Sequence, residues 1–513
     1  MDEFIDKLKS LLFMAKVVVV RCLQWGDTGK GKVIDVLSPW ADIIIRPLGG
    51  PNAGHTIYLN GKPMIFHSLP SGIIKDRDGK INLLGSGMVI DPKSLIEEIE
   101  LLKSQGFSCE NLKISQKANL ILPTHILEDR LREYLSGNGK IGTTGKGVGP
   151  AYTDHVARTG LTVNDLLNPQ VFRSKLLRNI EQKMLLFKGV DLKIIEQVLS
   201  SSDLNLGKYF SPDNIINVED ICEDYFAYGR TLEKFIIDAE KFIRENIGKK
   251  RILLEGAQGL LLSINYGTYP FVTCSDPSLE GMVKGAGLSM SDVDLDLGII
   301  KGFMETRVGE GPFPTEIGDI HSRSFCSKCP NKEDEKFRYP GPYSINHPDP
   351  FLQGIALRRK AKEYGATTKR PRRVGWLDLV LLKHALQSGA KDTKLVLTKL
   401  DVLSGVKTIN VCVEYKYVGP DYRYGQKLFK TGDRVSSPPM YSEFLAYCEP
   451  VYKSFPGWSK DISKLKNYSD MPQQLKNILE FIYQNLKTEP VILSVGPNPE
   501  ETLVIDFFSE EKI

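Results

Sequence analysis

The 513-residue sequence predicts an α/β protein: a large, mainly parallel central sheet covered by helices, with glycine-rich phosphate-binding loops at the carboxyl ends of its strands. Three observations predict this. Short apolar runs of strand length recur along the chain, separated by stretches of helical period. Several of these runs are followed at once by glycine clusters. The first, Val17-Val18-Val19-Val20, leads into the glycine loop QWGDTGKGKVID, then a helical pattern, then a second run, DIIIR. Strand, glycine turn, helix and strand is the arrangement that aims helix N–H groups at an anion. Runs that are apolar at every position suit strands covered on both faces.

The elements follow in order. In MDEFIDKLKSLLF, Phe4, Leu8, Leu11 and Leu12 fall at helical spacing, while Asp2, Glu3 and Asp6 stand where a secretory leader would be basic. Residues 1–15 are therefore read as a short amphipathic extension and 16–513 as the main folded unit. Strands are predicted at Val17–Val20, Asp42–Arg46, Arg251–Leu254, Leu297–Ile300, Leu395–Leu397 and Val491–Ser494. A helix is predicted from Lys32 to Leu37, with others at Ser94–Lys103, Ile126–Ser136, Thr231–Glu245 and Leu377–Gln387. Two segments read as insertions: a polar, proline-rich stretch at about 317–353, and a tyrosine-rich, loop-like one at about 415–452. In such sheets the ligand crevice lies beyond the carboxyl ends of the strands, so the glycine stretches are expected to line one site.

Composition narrows the class. With 41% hydrophobic and 25% charged residues the chain is globular, and a net charge of +4 gives no case for a general nucleic-acid binder. No apolar stretch is long enough to cross a bilayer. Eight scattered cysteines are too sparse for a disulfide framework and suit reduced thiols in the cytoplasm.

Gly26 and Gly31-Lys32 have the spacing of a Walker A loop, but Val33 stands where that loop has a hydroxyl for magnesium. Gly26, Gly29 and Gly31 let the backbone approach a phosphate, and Lys30 and Lys32 supply positive charge. Asp27 is the odd member. A carboxylate beside bound phosphate is repelled unless a cation intervenes or there is a proton to remove, so Asp27 is a candidate metal ligand, general base, or both. The competing reading is a tight turn with solvated lysines.

Five further blocks carry chemistry. PLGGPNAGHT ends in His55 and Thr56; the histidine is either structural or a donor to a developing oxyanion. IGTTGKGVGPAYTDHVAR offers small hydroxyls and a terminal Arg158 suited to a phosphomonoester. LLEGAQG places Gln258 at a strand end, where an amide can read a purine edge. GATTKRPRRVGWLD is a basic run that, taken alone, reads as a solvated face. LTKLDVL carries Asp401, which can accept from two N–H groups of guanine, a pattern adenine lacks.

Together and in this order, with GEGPFPTE at 309–316, the blocks resemble the adenylosuccinate synthetase family, from about Lys16 to the C-terminal ILSVGPNPEETLVI. That family comprises GTP-dependent ligases joining IMP and L-aspartate in AMP synthesis. The resemblance implies that Asp27 and the carbonyl of Gly54 hold Mg2+, so the missing hydroxyl at Val33 is no defect. It implies that Asp27 takes the proton from purine N1, that His55 stabilises the transferring phosphoryl group, and that Gln258 belongs to the same machinery. Asn52, Thr144, Arg158, Leu262 and Thr273 match IMP contacts, with Arg158 reaching into the neighbouring subunit of a homodimer. Thr367, Thr368, Arg370 and Arg372 match the aspartate loop. Gly26, Gly29, Lys30, Gly31, Lys32, Gly54, Thr56, Lys399, Asp401, Ser494 and Gly496 match GTP contacts.

Four departures concern substrates rather than the core. Thr28 stands where the family has glutamate, Pro51 replaces a histidine, Lys369 replaces glycine in TTGRPRR, and the 275–289 loop is remote from the family's pattern. They motivate an alternative: the same two-step chemistry on a different purine monophosphate or amino acid. A non-catalytic nucleotide-binding homologue is a third reading, opposed by the retention of Asp27, Lys30, His55, Arg370 and Asp401. In the first insertion His321, Cys326, Cys329 and His347 form a zinc-like half-motif.

Overall fold

The computed structural model describes residues 2–59, 62–137, 140–200, 206–210, 216–365 and 369–507. At its centre lies an 11-stranded sheet. Val17–Cys22 occupies the middle, paired in parallel with Leu295–Ile300 on one side and Ile252–Glu255 on the other. Beyond Ile252–Glu255 come Ile43–Gly49, Ile81–Ile90, Leu112–Ser115 and Ile236–Ile237; beyond Leu295–Ile300 come Lys394–Leu397, Pro490–Ser494 and Thr502–Val504. Asn119–Leu120 pairs with Ile81–Ile90. Every pairing is parallel except the last edge strand, Thr502–Val504. All six predicted strands are present, as is the predicted parallel sheet.

Apolar residues at every strand position are explained by burial on both faces. Val18 and Val20 pack with Ile34, Leu37, Ile44 and Ile299, beneath the helix Lys30–Leu37. Val17 and Val19 point the other way, against Ala239, Ile243, Met282 and Val283 of two helices on the opposite face. Full burial of each such side chain contributes about 1.5–3 kcal/mol. The N-terminal segment forms the helix Asp2–Leu12, and Leu8, Leu11 and Leu12 pack into the first of these faces.

One expected helix fails and another starts two residues late. The stretch Thr231–Glu245 is not one helix. It divides into the end of Val218–Leu232, a 3-10 turn at Glu233–Phe235, the edge strand Ile236–Ile237 and a new helix Ala239–Asn246, which Asp238 caps by accepting from the Lys241 N–H. Leu377–Gln387 begins as a strand, Arg373–Asp378; Asp378 then caps the helix Leu379–Leu386.

The two proposed insertions are ordered structure. Residues 317–353 hold the helices Asp319–Lys328 and Lys332–Arg338 and the start of Pro350–Ala361. The tyrosine-rich stretch is not a loop. Thr408–Tyr417 pairs antiparallel with Cys448–Pro456 in a second, five-stranded sheet, and Tyr415 and Tyr417 are core residues there, with Tyr417 stacked on Phe444.

Candidate active site

The strand order reverses around Val17–Cys22, and the loops after the central strands meet there. They line one cavity of about 610 Å3. Its wall takes in Gly26, Asp27, Gly29, Lys30, Gly31 and Lys32 from the loop after the first strand. Asn52, Gly54, His55 and Thr56 come from the second glycine turn, with Thr144, Gln258, Leu262 and Thr273 from later segments. Arg370, Arg372, Lys399, Asp401, Ser494 and Gly496 complete it. Residues from seven separate sequence blocks thus converge on one space.

The phosphate loop is shaped by its backbone. Gly26 and Gly29 hold φ of +90° and +79°, and a Cβ on Gly31 would lie 2.7 Å from the Thr56 carbonyl oxygen. Only glycine fits these places without strain. Asp27, Gln258 and Lys399 also adopt left-handed backbone, at φ of 51°, 59° and 56°. Sparsely populated backbone in non-glycine residues gathers at ligand-handling sites, and with Lys362 at φ 55° four such residues face one cavity.

Asp27 accepts from the Arg372 Nε at 2.8 Å. Burial disfavours its charge, but Arg372, Lys301 and Lys30 outweigh that and hold the carboxyl below its ordinary value. Lys30 Nζ donates to the Gln258 carbonyl at 2.6 Å, tying the phosphate loop to the turn that carries Gln258. Lys32 points elsewhere. Its ammonium donates to Ser494 Oγ, the Gly496 carbonyl and the Glu501 carbonyl at 2.6, 2.5 and 3.0 Å, rather than standing as a bare phosphate charge.

His55 is buried, and its Nδ1 is hydrogen-bonded to the Glu255 carboxylate. Glu255 also accepts from the Ser71 N–H at 2.7 Å and the Ser71 hydroxyl at 2.6 Å. Burial, followed by the Arg46 charge, pushes the imidazole down to about 4 against the pull of Glu255. Burial thus works against the charged ring, and Glu255 works for it.

On the far wall Lys399 donates to the Ala361 carbonyl at 3.0 Å and pairs with Glu363, whose carboxylate also takes the Lys301 ammonium at 2.8 Å. Burial raises Asp401, with Lys32 and Lys399 opposing.

Two groups of expected residues stand apart. Arg158 is an exposed helix C-cap at φ +66° and is not among the cavity-lining residues. Thr367 and Thr368 lie outside the described residues. Thr28 is fully buried, and its carbonyl accepts from the Thr398 hydroxyl at 2.7 Å. Lys369 takes a left-handed φ of 56°, a conformation natural to the glycine it replaces.

The zinc-like half-motif does not assemble. Cys326 and Cys329 are buried with Phe325 in a small apolar cluster, against which Tyr339 and Phe351 pack. Burial pushes both thiols up, Cys329 to about 11. His347 Nδ1 accepts from the Asp349 N–H, and no three acidic, histidine or cysteine side chains converge as a metal site among the described residues. All eight cysteines are free.

Several site residues carried no signal that was singled out in the sequence. Glu255 lies inside LLEGAQG but 200 residues from the histidine it holds. Glu363, Lys301 and Arg307 are buried charges whose partners are equally unpredictable from spacing. Arg307 donates to the Thr268 hydroxyl at 2.8 Å and the Glu310 carbonyl at 2.8 Å, fixing the segments on either side of Thr273 and Gly309.

Fold and cavity define an α/β enzyme that gathers cationic side chains and glycine turns at strand ends, the arrangement that holds anionic ligands. A family model described as adenylosuccinate synthetase matches residues 18–503. The adenylosuccinate synthetase of Halothermothrix orenii is 39% identical over 487 residues, covering 94% of this chain and 97% of that protein. That of a Geobacillus species is 39% identical over 495 residues, covering 96% and 99%. The solved structure of fully ligated adenylosuccinate synthetase from Plasmodium falciparum superposes with a TM-score of 0.76 at 34% identity, covering 96% of this chain and all of that one. A cyanophage S-2L succinoaminodeoxyadenylate synthetase, 16% identical with a TM-score of 0.51, shares the fold. The chain belongs to the adenylosuccinate synthetase family and is a ligase.

Proposed function

We propose that the protein joins IMP and L-aspartate to form adenylosuccinate at the expense of GTP. The observation that carries this is the convergence of Asp27, His55, Gln258, Arg370, Arg372, Lys399 and Asp401 on one cavity from distant parts of the chain. A purine carbonyl oxygen is a very poor leaving group and phosphate a good one, so the oxygen must first be phosphorylated. In this reading Asp27 takes the N1 proton and Gln258 holds the purine edge, which makes O6 nucleophilic toward the γ-phosphorus. The O6–P bond forms as the bond to the GDP oxygen breaks. The aspartate amine then attacks C6, and phosphate departs with O6. His55, held by Glu255, faces the transferring phosphoryl group, whose charge favours the imidazolium.

Asp27 and Gly54 both line the cavity, and a carboxylate and a backbone carbonyl are the hard oxygen donors that suit Mg2+. Too few acidic side chains gather there to cage a cation alone among the described residues, which suits an ion completed by substrate phosphates. When bound, that ion would neutralise charge on the β- and γ-phosphates. In this reading Arg372 and Arg370 take the aspartate carboxylates, together with Thr367 and Thr368. Asp401, Lys399, Ser494 and Gly496 would read guanine, and Asn52, Thr144, Leu262 and Thr273 would hold IMP. The exposure of Arg158, away from its own cavity, supports a homodimer in which it serves the neighbouring site. A cytoplasmic setting suits these substrates and the free thiols; no helix among the described residues is long and apolar enough to cross a membrane.

Lys369, in glycine-like backbone within the loop that should grip the amino acid, favours one second reading: a different amino acid acceptor. Incubating the purified protein with GTP or ATP, a panel of purine monophosphates and a panel of amino acids tests both. Production of adenylosuccinate with a clear preference for GTP, IMP and aspartate supports the first reading. Preference for another acceptor replaces it with the second, and no turnover with any combination defeats both.

A further inference from the structure

We infer that Lys32 is a positioning residue for recognition of the nucleotide base rather than a ligand of its phosphates; this rests on the guanine reading of Asp401, Ser494 and Gly496 given above. By sequence Lys32 occupies the lysine place of a phosphate loop, yet the fold gives it other work. It sits in the first turn of the helix Lys30–Leu37, and its ammonium has three N–H donors. All three have acceptors: Ser494 Oγ at 2.6 Å, the Gly496 carbonyl at 2.5 Å and the Glu501 carbonyl at 3.0 Å. These acceptors belong to the turn that follows the strand Pro490–Ser494, on the side of the cavity that also holds Asp401.

That turn is closed by its own bonds and leans on Lys32 at its open side. Val495 N–H donates to the Glu501 carbonyl at 2.9 Å, and the Glu501 carboxylate accepts from the Asn498 N–H at 2.7 Å and the Asn498 amide at 3.0 Å. A Cβ on Gly496 would lie 2.5 Å from Glu501, so the backbone at Gly496 is pressed against that side chain. Lys32 therefore links the helix that begins at the phosphate loop to the backbone beside the base. A base that fits the turn keeps these bonds intact, and a wrong base must displace them. Lys30 donates instead to the Gln258 carbonyl, away from that turn's acceptors.

Binding measurements on Lys32→Met with GTP, ATP and inorganic triphosphate separate the two roles. As a positioning residue, its loss weakens GTP binding by about tenfold, leaves inorganic triphosphate within about twofold, and narrows the preference for GTP over ATP by about tenfold. Equal weakening of GTP, ATP and triphosphate, with the preference unchanged, would overturn the inference and return Lys32 to the phosphates. Lys32→Gln keeps two N–H donors on a shorter stem and gives an intermediate loss of preference; it serves as the readout should the Met variant fold poorly. A wild-type protein with no preference for GTP would instead defeat the guanine reading itself, a result distinct from a preference that survives in both variants.

Discussion

Arg372 Nε lies 2.8 Å from the Asp27 carboxylate, across 345 residues of sequence. The residue proposed to remove a proton is thus held by a residue proposed to bind the amino acid. An aspartate carboxylate arriving at Arg372 competes directly with Asp27 for that guanidinium. Arg372→Gln is expected to raise the KM for aspartate by about tenfold to a hundredfold, since a hydrogen bond to a charged group contributes about 1.5–3 kcal/mol. The KM for IMP should change much less. Initial rates with each substrate varied in turn check this, and equal changes for both would remove Arg372 from the aspartate site.

His55 and Glu255 form a pair whose two members should fail differently. His55→Asn is expected to lower kcat by about a hundred- to a thousandfold, the loss typical of a donor to a developing oxyanion. Glu255→Gln keeps the shape of the site but removes the charge against the imidazole, so kcat should fall by at least about tenfold with the KM values within about twofold. Steady-state kinetics on folded protein, confirmed by thermal melting, decide it; an unchanged kcat in Glu255→Gln would make that carboxylate a support for Ser71 alone.

How much of this was legible in the sequence depends on the range of the forces involved. Val17–Val20 announces a doubly covered strand because local burial alone dictates it. The loop around Asp27 is legible because glycines at fixed offsets have few other uses. Thr231–Glu245 misleads because apolar residues keep helical spacing across the break, and Asp238 as a cap reads like any other surface acid. Tyr415 and Tyr417 alternate as strand residues do, yet tyrosine-rich composition obscured the period. The paired thiols Cys326 and Cys329 mislead for the converse reason: their spacing suits a metal, but an aromatic cluster claims them. Glu255, Glu363 and Lys32 belong to contacts made only after the chain folds, and neither spacing nor residue type predicts their partners.

A buried charge cluster supports the helix that precedes Arg158. Asp154 accepts from His125 Nε2 at 2.8 Å, Asn179 at 2.5 Å and Lys183 at 2.6 Å, and Lys183 also reaches Glu128 at 2.7 Å. Burial opposes the charge on Asp154, but bonds from His125 and Lys183 prevail and lower the carboxyl from 3.8 to about 2. A depressed carboxylate adds stability that is complete above its unfolded value and fades as pH falls through the folded one. The shift on Asp154 should therefore add stability at neutral pH that is lost between roughly pH 4 and pH 2. Denaturant titrations at stepped pH read it, and Asp154→Asn should flatten the acid slope; an identical slope in that variant would contradict the assignment.

Asp401 provides a test on the nucleotide side. Asp401→Asn exchanges a two-fold acceptor for a group that also donates, so guanine loses a partner and the preference for GTP over ATP should shrink by at least about tenfold. Competition binding with the two triphosphates measures it. A preference that stays intact would move base recognition away from this residue.

The central proposal is that Asp27 turns a purine carbonyl oxygen into the acceptor of a phosphoryl group. IMP labelled with 18O at O6, supplied with GTP and aspartate, follows that atom directly. One labelled oxygen is expected in the inorganic phosphate for each adenylosuccinate formed, and no transfer of label in Asp27→Ala. Unlabelled phosphate alongside product would show that O6 is never phosphorylated, and would contradict the proposal.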